Sequence, residues 1–132
     1  MKANRAVSKR EVAFRKAVWA AGARGYRVHP KLPGRPDLVF PSLKLAVFVH
    51  GCFWHRCAVC ELPIPKANRD FWVAKLDENL RRDIVVKVRL VELGWEPLVV
   101  WEHEIRPDPV PRASELASQV SQRLEEPFVG IG

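Results

Sequence analysis

The sequence predicts an α/β fold in which helices flank a small mixed sheet. Three observations carry that expectation. Hydrophobic periodicity changes along the chain in the order α, β, β, β, α, β, α, as in a layered α/β domain. Two short apolar runs, 45–49 and 98–101, are too continuous for half-exposed strands and read as buried ones. Pro and Gly clusters fall between these segments rather than inside them, so they act as boundaries.

The elements follow in chain order. Ser8-Lys9-Arg10-Glu11 is a Ser-x-x-Glu capping box, which opens a helix running to Gly22. Val12, Phe14, Val18 and Trp19 supply its apolar face, with imperfect spacing. Tyr26 to His29 reads as a short strand. Leu32-Pro33-Gly34-Arg35-Pro36 is turn chemistry, because Pro followed by Gly suits a type II turn. A strand starts at Asp37, a second turn falls at Pro41-Ser42, and Lys44 to His50 forms a buried strand. The cysteine-containing stretch and the 63–65 segment form an irregular loop. With Asn68 as N-cap, a long helix runs to Leu93, and Phe71, Leu76, Leu80, Ile84, Val88 and Val91 are available to face the core. Gly94 closes it as the C′ residue. Trp95 to Trp101 is the last strand. Pro107, Pro109 and Pro111 form a stiff connector to a short helix carrying Leu116, Val120 and Leu124 at i, i+4 and i+8. Trp19, Trp95 and Trp101 are expected in the core. No repeat or low-complexity tract divides the chain, so residues 1–132 are read as one domain.

Composition narrows the class of function. At 132 residues and 48% hydrophobic content, the chain is long enough to bury one core. No apolar run approaches the roughly 20 residues of a membrane span. The basic N-terminus lacks an apolar signal segment, which points to the cytosol, where thiols stay reduced. The net charge is +7, and residues 1–35 hold ten Lys or Arg against the single acid Glu11. Such segregation predicts a polyanion-facing arm and helix, with Arg5, Arg10 and Arg15 as phosphate contacts. The bland alternative is a basic helix that serves solubility.

All three cysteines and two of the four histidines lie between His50 and Cys60. Three cysteines cannot pair off completely as disulfides. Thiolate and imidazole at close spacing suit tetrahedral Zn²⁺, with a fourth ligand drawn from elsewhere. His55 sits between Cys52 and Cys57, so its local reading is a zinc ligand. The Cys57-x-x-Cys60 knuckle leaves another reading open, in which His55 splays outward as a base with an imidazole's ordinary pKa of about 6.5. His103 follows an apolar strand and, taken alone, is a strand-end residue. Asp37 taken alone is an ordinary strand-end carboxylate.

Leu32-Pro33-Gly34-Arg35-Pro36-Asp37, His50-Gly51-Cys52-Phe53-Trp54-His55, Phe71-Trp72, Leu93-Gly94-Trp95 and Val100-Trp101-Glu102 resemble, in order and spacing, the very-short-patch repair (Vsr) endonucleases. The resemblance spans residues 3–104 and implies a restriction-endonuclease-like core of the PD-(D/E)xK type with a structural zinc. It also implies Mg²⁺-dependent nicking of double-stranded DNA on the 5′ side of the thymine in a T·G mismatch. Such an enzyme is expected to be a bacterial, nucleoid-associated monomer.

By the same resemblance, Asp37 and the backbone carbonyl of Val49 hold Mg²⁺, and His55 stands near the attacking water. One carboxylate suffices to begin such a site, because Mg²⁺ keeps waters and takes the scissile phosphate as a further ligand. The Glu-x-Lys that many nucleases of this fold carry on the next strand is absent. Glu11, His50 and Asp83 fall where the family keeps polar residues near the active centre. Glu11 has a compatible role in the capping box, and Asp83 has a rival one in an i,i+4 ion pair with Lys87. Cys52, Cys57, Cys60 and His103 become a Cys₃His zinc set, with the third ligand shifted by one position relative to the family. Phe53, Trp54 and Trp72 become wedges that open the base stack beside the mismatch, against the alternative of core packing.

The family's longer basic arm precedes the first helix, and this chain begins about where that arm ends, so a weaker grip on duplex DNA is expected. Residues 107–132 match nothing in the resemblance. Two other readings stand beside the mismatch nickase: a nuclease for a different mismatch or lesion, and a zinc-stapled DNA-binding module without catalysis.

Overall fold

The structure is a computed structural model that describes residues 9–125. Helix α1 spans Lys9–Ala20, strand β1 Arg27–Val28, strand β2 Leu38–Phe40 and strand β3 Leu45–His50. Helix α2 spans Arg69–Glu92, strand β4 Glu96–Trp101, the one-turn helix α3 Glu102–Ile105 and helix α4 Val110–Glu125. A 3₁₀ turn at Pro41–Leu43 joins β2 to β3. The four strands lie in the order β1-β2-β3-β4, with the first two pairings antiparallel and β3–β4 parallel. A parallel pair needs a long crossover, and α2 supplies it. No helix among the described residues is long and apolar enough to cross a membrane.

The two faces of the sheet are set by strand alternation. Leu38, Phe40, Leu45, Val47 and Val100 point to one side and pack with Phe14 and Val18 of α1 and Leu116 and Val120 of α4. Val39, Ala46 and Phe48 point to the other and pack against Leu90 of α2, with Leu32, Val86 and Trp95 at the margin. Gly34 is the hinge of this second layer. Its φ is +75°, and a Cβ there would stand 2.5 Å from a Val86 methyl, so the Pro33–Pro36 turn lies directly against α2. Gly94, at φ +89°, ends α2 as its position after the helix predicts.

The boundaries follow the sequence closely, but the burial does not. Of the residues expected on the inner face of α2, Leu76 is buried, whereas Phe71, Leu80, Ile84, Val88 and Val91 are exposed. The helix turns Asn79, Asp83, Val86 and Leu90 inward instead, with the exposed Lys87 at the edge of that face, at a spacing the apolar stripe hides. Trp19 is 52% exposed rather than in the core, and the Arg24 guanidinium lies 3.4 Å over its ring. Trp95 and Trp101 are half-buried. Leu124 is exposed, while Leu116 and Val120 are buried as expected. Asn68 precedes α2 but makes no side-chain cap; its carbonyl accepts the Trp72 N–H at 3.1 Å. Ser8, the other half of the expected capping box, lies outside the described residues.

Candidate active site and metal centre

The parallel register of β3 and β4 assembles the cysteine set. His50 pairs with Trp101, so the two strands end level and their continuations leave the sheet side by side. Glu102 Oε1 accepts the Cys52 N–H at 3.2 Å, and one residue later His103 Nδ1 lies 3.4 Å from Cys52 Sγ and 3.6 Å from Cys57 Sγ. Within the loop, the Cys57 N–H donates to the Cys52 carbonyl at 2.9 Å and folds Cys57 back. Ligand atoms of Cys52, Cys57, Cys60 and His103 all lie within 4.8 Å of one another, and all three thiols are free. A tetrahedral zinc with its usual bond lengths sets S···N separations of about 3.5 Å, so the donor set fits. Burial pushes the Cys52 thiol up to about 11, because an apolar site disfavours the thiolate.

His55 belongs to a different cluster. Its N–H donates to the Gly51 carbonyl at 3.1 Å, which turns the side chain away from the sulfurs and toward α2. His55 Nδ1 lies 2.7 Å from Asp83 Oδ2. Asp83 is therefore bound to an imidazole 28 positions away in the chain, and the expected i,i+4 pair with Lys87 does not form. Strand alternation puts His50 on the α2 side, where its ring stacks on His55 with centroids 3.7 Å apart and planes 7° from parallel. Burial first, then the neighbouring His55 and Lys87, lower the His50 pKa to about 3, so this ring is neutral at physiological pH.

Asp37 sits at the mouth of the same site. Its Oδ2 accepts the Val49 N–H at 2.5 Å, and its own N–H donates to the Val47 carbonyl at 2.9 Å. Burial pushes its carboxyl up to about 7; the Val49 N–H opposes the shift, and the nearby Glu11 carboxylate adds to it. Glu11 is only 8% exposed, and His29 Nε2 lies 3.1 Å from its Oε2. The neighbouring carboxylates of half-buried Asp37 and buried Glu11 suit a hard divalent cation, and this is the fit that Mg²⁺ requires here. Glu11, His29 and Asp37 present ligand atoms within 4.8 Å of one another. Asp37, Val49, His50, His55, Asp83 and Lys87 line a common cavity of about 290 Å³.

Beside this cavity the three candidate wedges meet. Ring centroids of Phe53 and Trp54 are 5.3 Å apart, and Trp72 is 5.6 Å from each. Trp54 is 47% exposed, with Phe53 and Trp72 half-buried behind it. Phe71, read from its spacing as core, is exposed and adds a fourth ring 5.2 Å from Trp72. Asn79 Nδ2 donates to the Trp54 carbonyl at 3.2 Å and ties the loop to α2.

Two of the basic N-terminal residues have contacts or effects within the protein. Arg10 pairs with Glu102 at 2.7 Å, which links α1 to the end of β4. The Arg15 charge acts on Asp37 and lowers its pKa. Arg5 lies outside the described residues. His29, Lys87 and Glu102 were missed by sequence reasoning. Only Glu102 carried a local signal, its place between Trp101 and His103.

Sequence comparison agrees with this geometry. A model of the family described as DNA mismatch endonuclease Vsr matches residues 1–61. The DNA mismatch endonuclease Vsr of Escherichia coli K12 is 35% identical, with 97% of this chain and 82% of that protein covered. The type II nicking enzyme V.XorIIP of Xanthomonas oryzae pv. oryzae is 44% identical over 72% of this chain and 70% of its own length. The type II nicking enzyme V.NmeAIP of Neisseria meningitidis serogroup A is 38% identical over 75% and 71%. These relatives make the chain, whose mixed α/β fold brings a histidine–aspartate pair and the half-buried Asp37 carboxylate to one cavity, an endonuclease. The chain belongs to the Vsr DNA mismatch endonuclease family.

Proposed function

We propose that this protein is a Mg²⁺-dependent nickase that cuts one DNA strand on the 5′ side of the thymine in a T·G mismatch, acting as a monomer with residues 1–132 as one restriction-endonuclease-like unit. The observation that carries the reading is the shared cavity of Asp37 and the His55–Asp83 pair, with the exposed Trp54 beside it.

The chemistry follows from tautomer and placement. Asp83 accepts a proton-bearing Nδ1 from His55, which leaves Nε2 as the acceptor for a proton from water. The neutral His50 ring, stacked on His55, holds the plane of that imidazole without competing for the proton at physiological pH. Asp37 and the Val49 carbonyl would hold Mg²⁺, with Glu11 at its margin, and the ion would supply Lewis-acid stabilisation of the phosphate. Cys52, Cys57, Cys60 and His103 would hold zinc and tie the His55 loop to the end of β4. Phe53, Trp54 and Trp72 enter the stack beside the mismatch. Unstacking costs a few kcal/mol per step and least at a mispair, so the wedge itself contributes selectivity.

The test is a nicking assay on a matched duplex and on each mismatch, with Mg²⁺ and with EDTA, together with elemental analysis of the purified protein. The expected result is a single nick 5′ of the mispaired thymine, abolished by EDTA, with one zinc per chain. Cutting at another mispair would reassign the specificity, and binding without cutting would leave a DNA-binding module.

A further inference from the structure

Arg35 on the Pro-Gly turn and Lys87 are cations at the active-site cavity with no role in the chemistry above, and Lys87 is the one carried on a helix beside Asp83. Lys87 lines the cavity from α2, one helical turn beyond Asp83 and on the same face. Asp83 is taken by His55, and Lys87 has no ion-pair or hydrogen-bond partner among the described residues. Arg82, which also lines the cavity, is by contrast paired with Glu78 at 3.3 Å. The helix position of Lys87 is fixed beside the cavity: Gly34 lets the Asp37 turn close on Val86, the residue before Lys87. Its charge is felt at His50, where it adds to the effects of burial and His55. The strand that carries Val49 and His50 contains no lysine, and Lys44 stands at its opposite end. Among the lysines of the described residues, Lys87 alone lines the cavity.

We infer that Lys87 is a catalytic residue of this enzyme, whose ammonium contacts a non-bridging oxygen of the scissile phosphate and stabilises the extra charge that oxygen gains as water attacks. The inference rests on the nuclease reading. Attack on a phosphodiester concentrates negative charge on the non-bridging oxygens, and an unpaired cation that lines the cavity is within reach to meet that charge. A lysine without an ion-pair partner among the described residues, at the edge of a cavity that also holds the half-buried carboxylates of Asp37 and Asp83, has little reason to be there for stability alone.

Lys87→Met and Lys87→Arg in the full chain test this by single-turnover nicking at saturating enzyme, with duplex affinity measured in parallel. Lys87→Met is expected to slow nicking by about 10²–10³-fold, the usual loss for one oxyanion-stabilising donor, with a much smaller change in affinity. Lys87→Arg, which keeps the charge, is expected to recover most of the rate. A Lys87→Met rate equal to wild type, or a loss seen only in affinity, overturns the inference. A second measurement does not depend on turnover: acylation of lysines in wild-type protein saturated with duplex DNA in Ca²⁺. Lys87 is expected to lose reactivity on binding while Lys44 keeps it, and equal reactivity at both overturns the contact. A wild-type protein that cuts no duplex defeats the nuclease reading, and the acylation result still decides the phosphate contact.

Discussion

Helices α2 and α4 cover opposite faces of one sheet and treat their apolar residues in opposite ways. Helix α4 buries Ala113, Leu116, Ala117 and Val120 against the sheet, so its stripe and its packing coincide. Helix α2 has a longer stripe, yet Leu80, Ile84, Val88 and Val91 face outward, and only Leu76 and Leu90 are buried. Its inner face and edge are given to Asn79, Asp83 and Lys87, which reach the loop, His55 and the cavity. One helix holds the sheet together; the other positions polar groups over it.

That contrast can be broken experimentally, and the largest effect is expected on the α2 side. Asp83→Ala and His55→Ala should each slow nicking by about 10²–10⁴-fold, the range of a lost general base or its orienting partner, while urea midpoints move little. If either variant instead unfolds, the α2 face is structural after all. On the α4 side, Leu116→Ala should cost about 2–5 kcal/mol of stability in urea titrations and leave the rate per folded molecule unchanged. A smaller, pH-dependent effect belongs to Asp37. Its carboxyl is raised from an ordinary value near 3.8 to about 7 in the metal-free fold. Between those values the native state holds a proton that the unfolded chain has released, so this group's contribution to stability declines as pH rises. The lowered His50 contributes with the opposite sign between about 3 and 6.5 and cancels when wild type and Asp37→Asn are compared. In zinc-loaded, Mg²⁺-free protein, Asp37→Asn should gain stability relative to wild type as pH goes from 5 to 7.5, and parallel pH profiles would refute the shift. Least affected should be Ile84→Ser on the outer face of α2, within about 0.5 kcal/mol of wild type.

The same contrast explains what was legible in the sequence. Turns at Gly34 and Gly94 were readable because a positive φ leaves its mark on residue type. The strands were readable because continuous apolar runs have few other uses. The site residues Asp37, His50, His55 and Asp83 were indicated by motif, but the Asp83–His55 bond was not, since nothing local announces a partner 28 residues away. Reading Asp83 with Lys87 followed helix spacing and failed because tertiary geometry offered Asp83 a closer imidazole. The facing of α2 was illegible for a related reason: periodicity reveals that a stripe exists, not which side meets the sheet. His29 escaped notice because a two-residue strand gives no pattern to read.

The level ends of β3 and β4 also bear on how the chain would acquire the proposed zinc. Cysteines 52, 57 and 60 are neighbours in sequence, but His103 joins them only when two strands 51 positions apart have aligned in register. Pairing of such distant segments is slow compared with local helix formation. A chain still short of that alignment offers an ion the three thiols of the proposed set without His103. The acquisition of full, chelator-resistant affinity during refolding would therefore time the closure of the parallel pair, and an ion captured before His103 arrives would remain exchangeable until the sheet is complete.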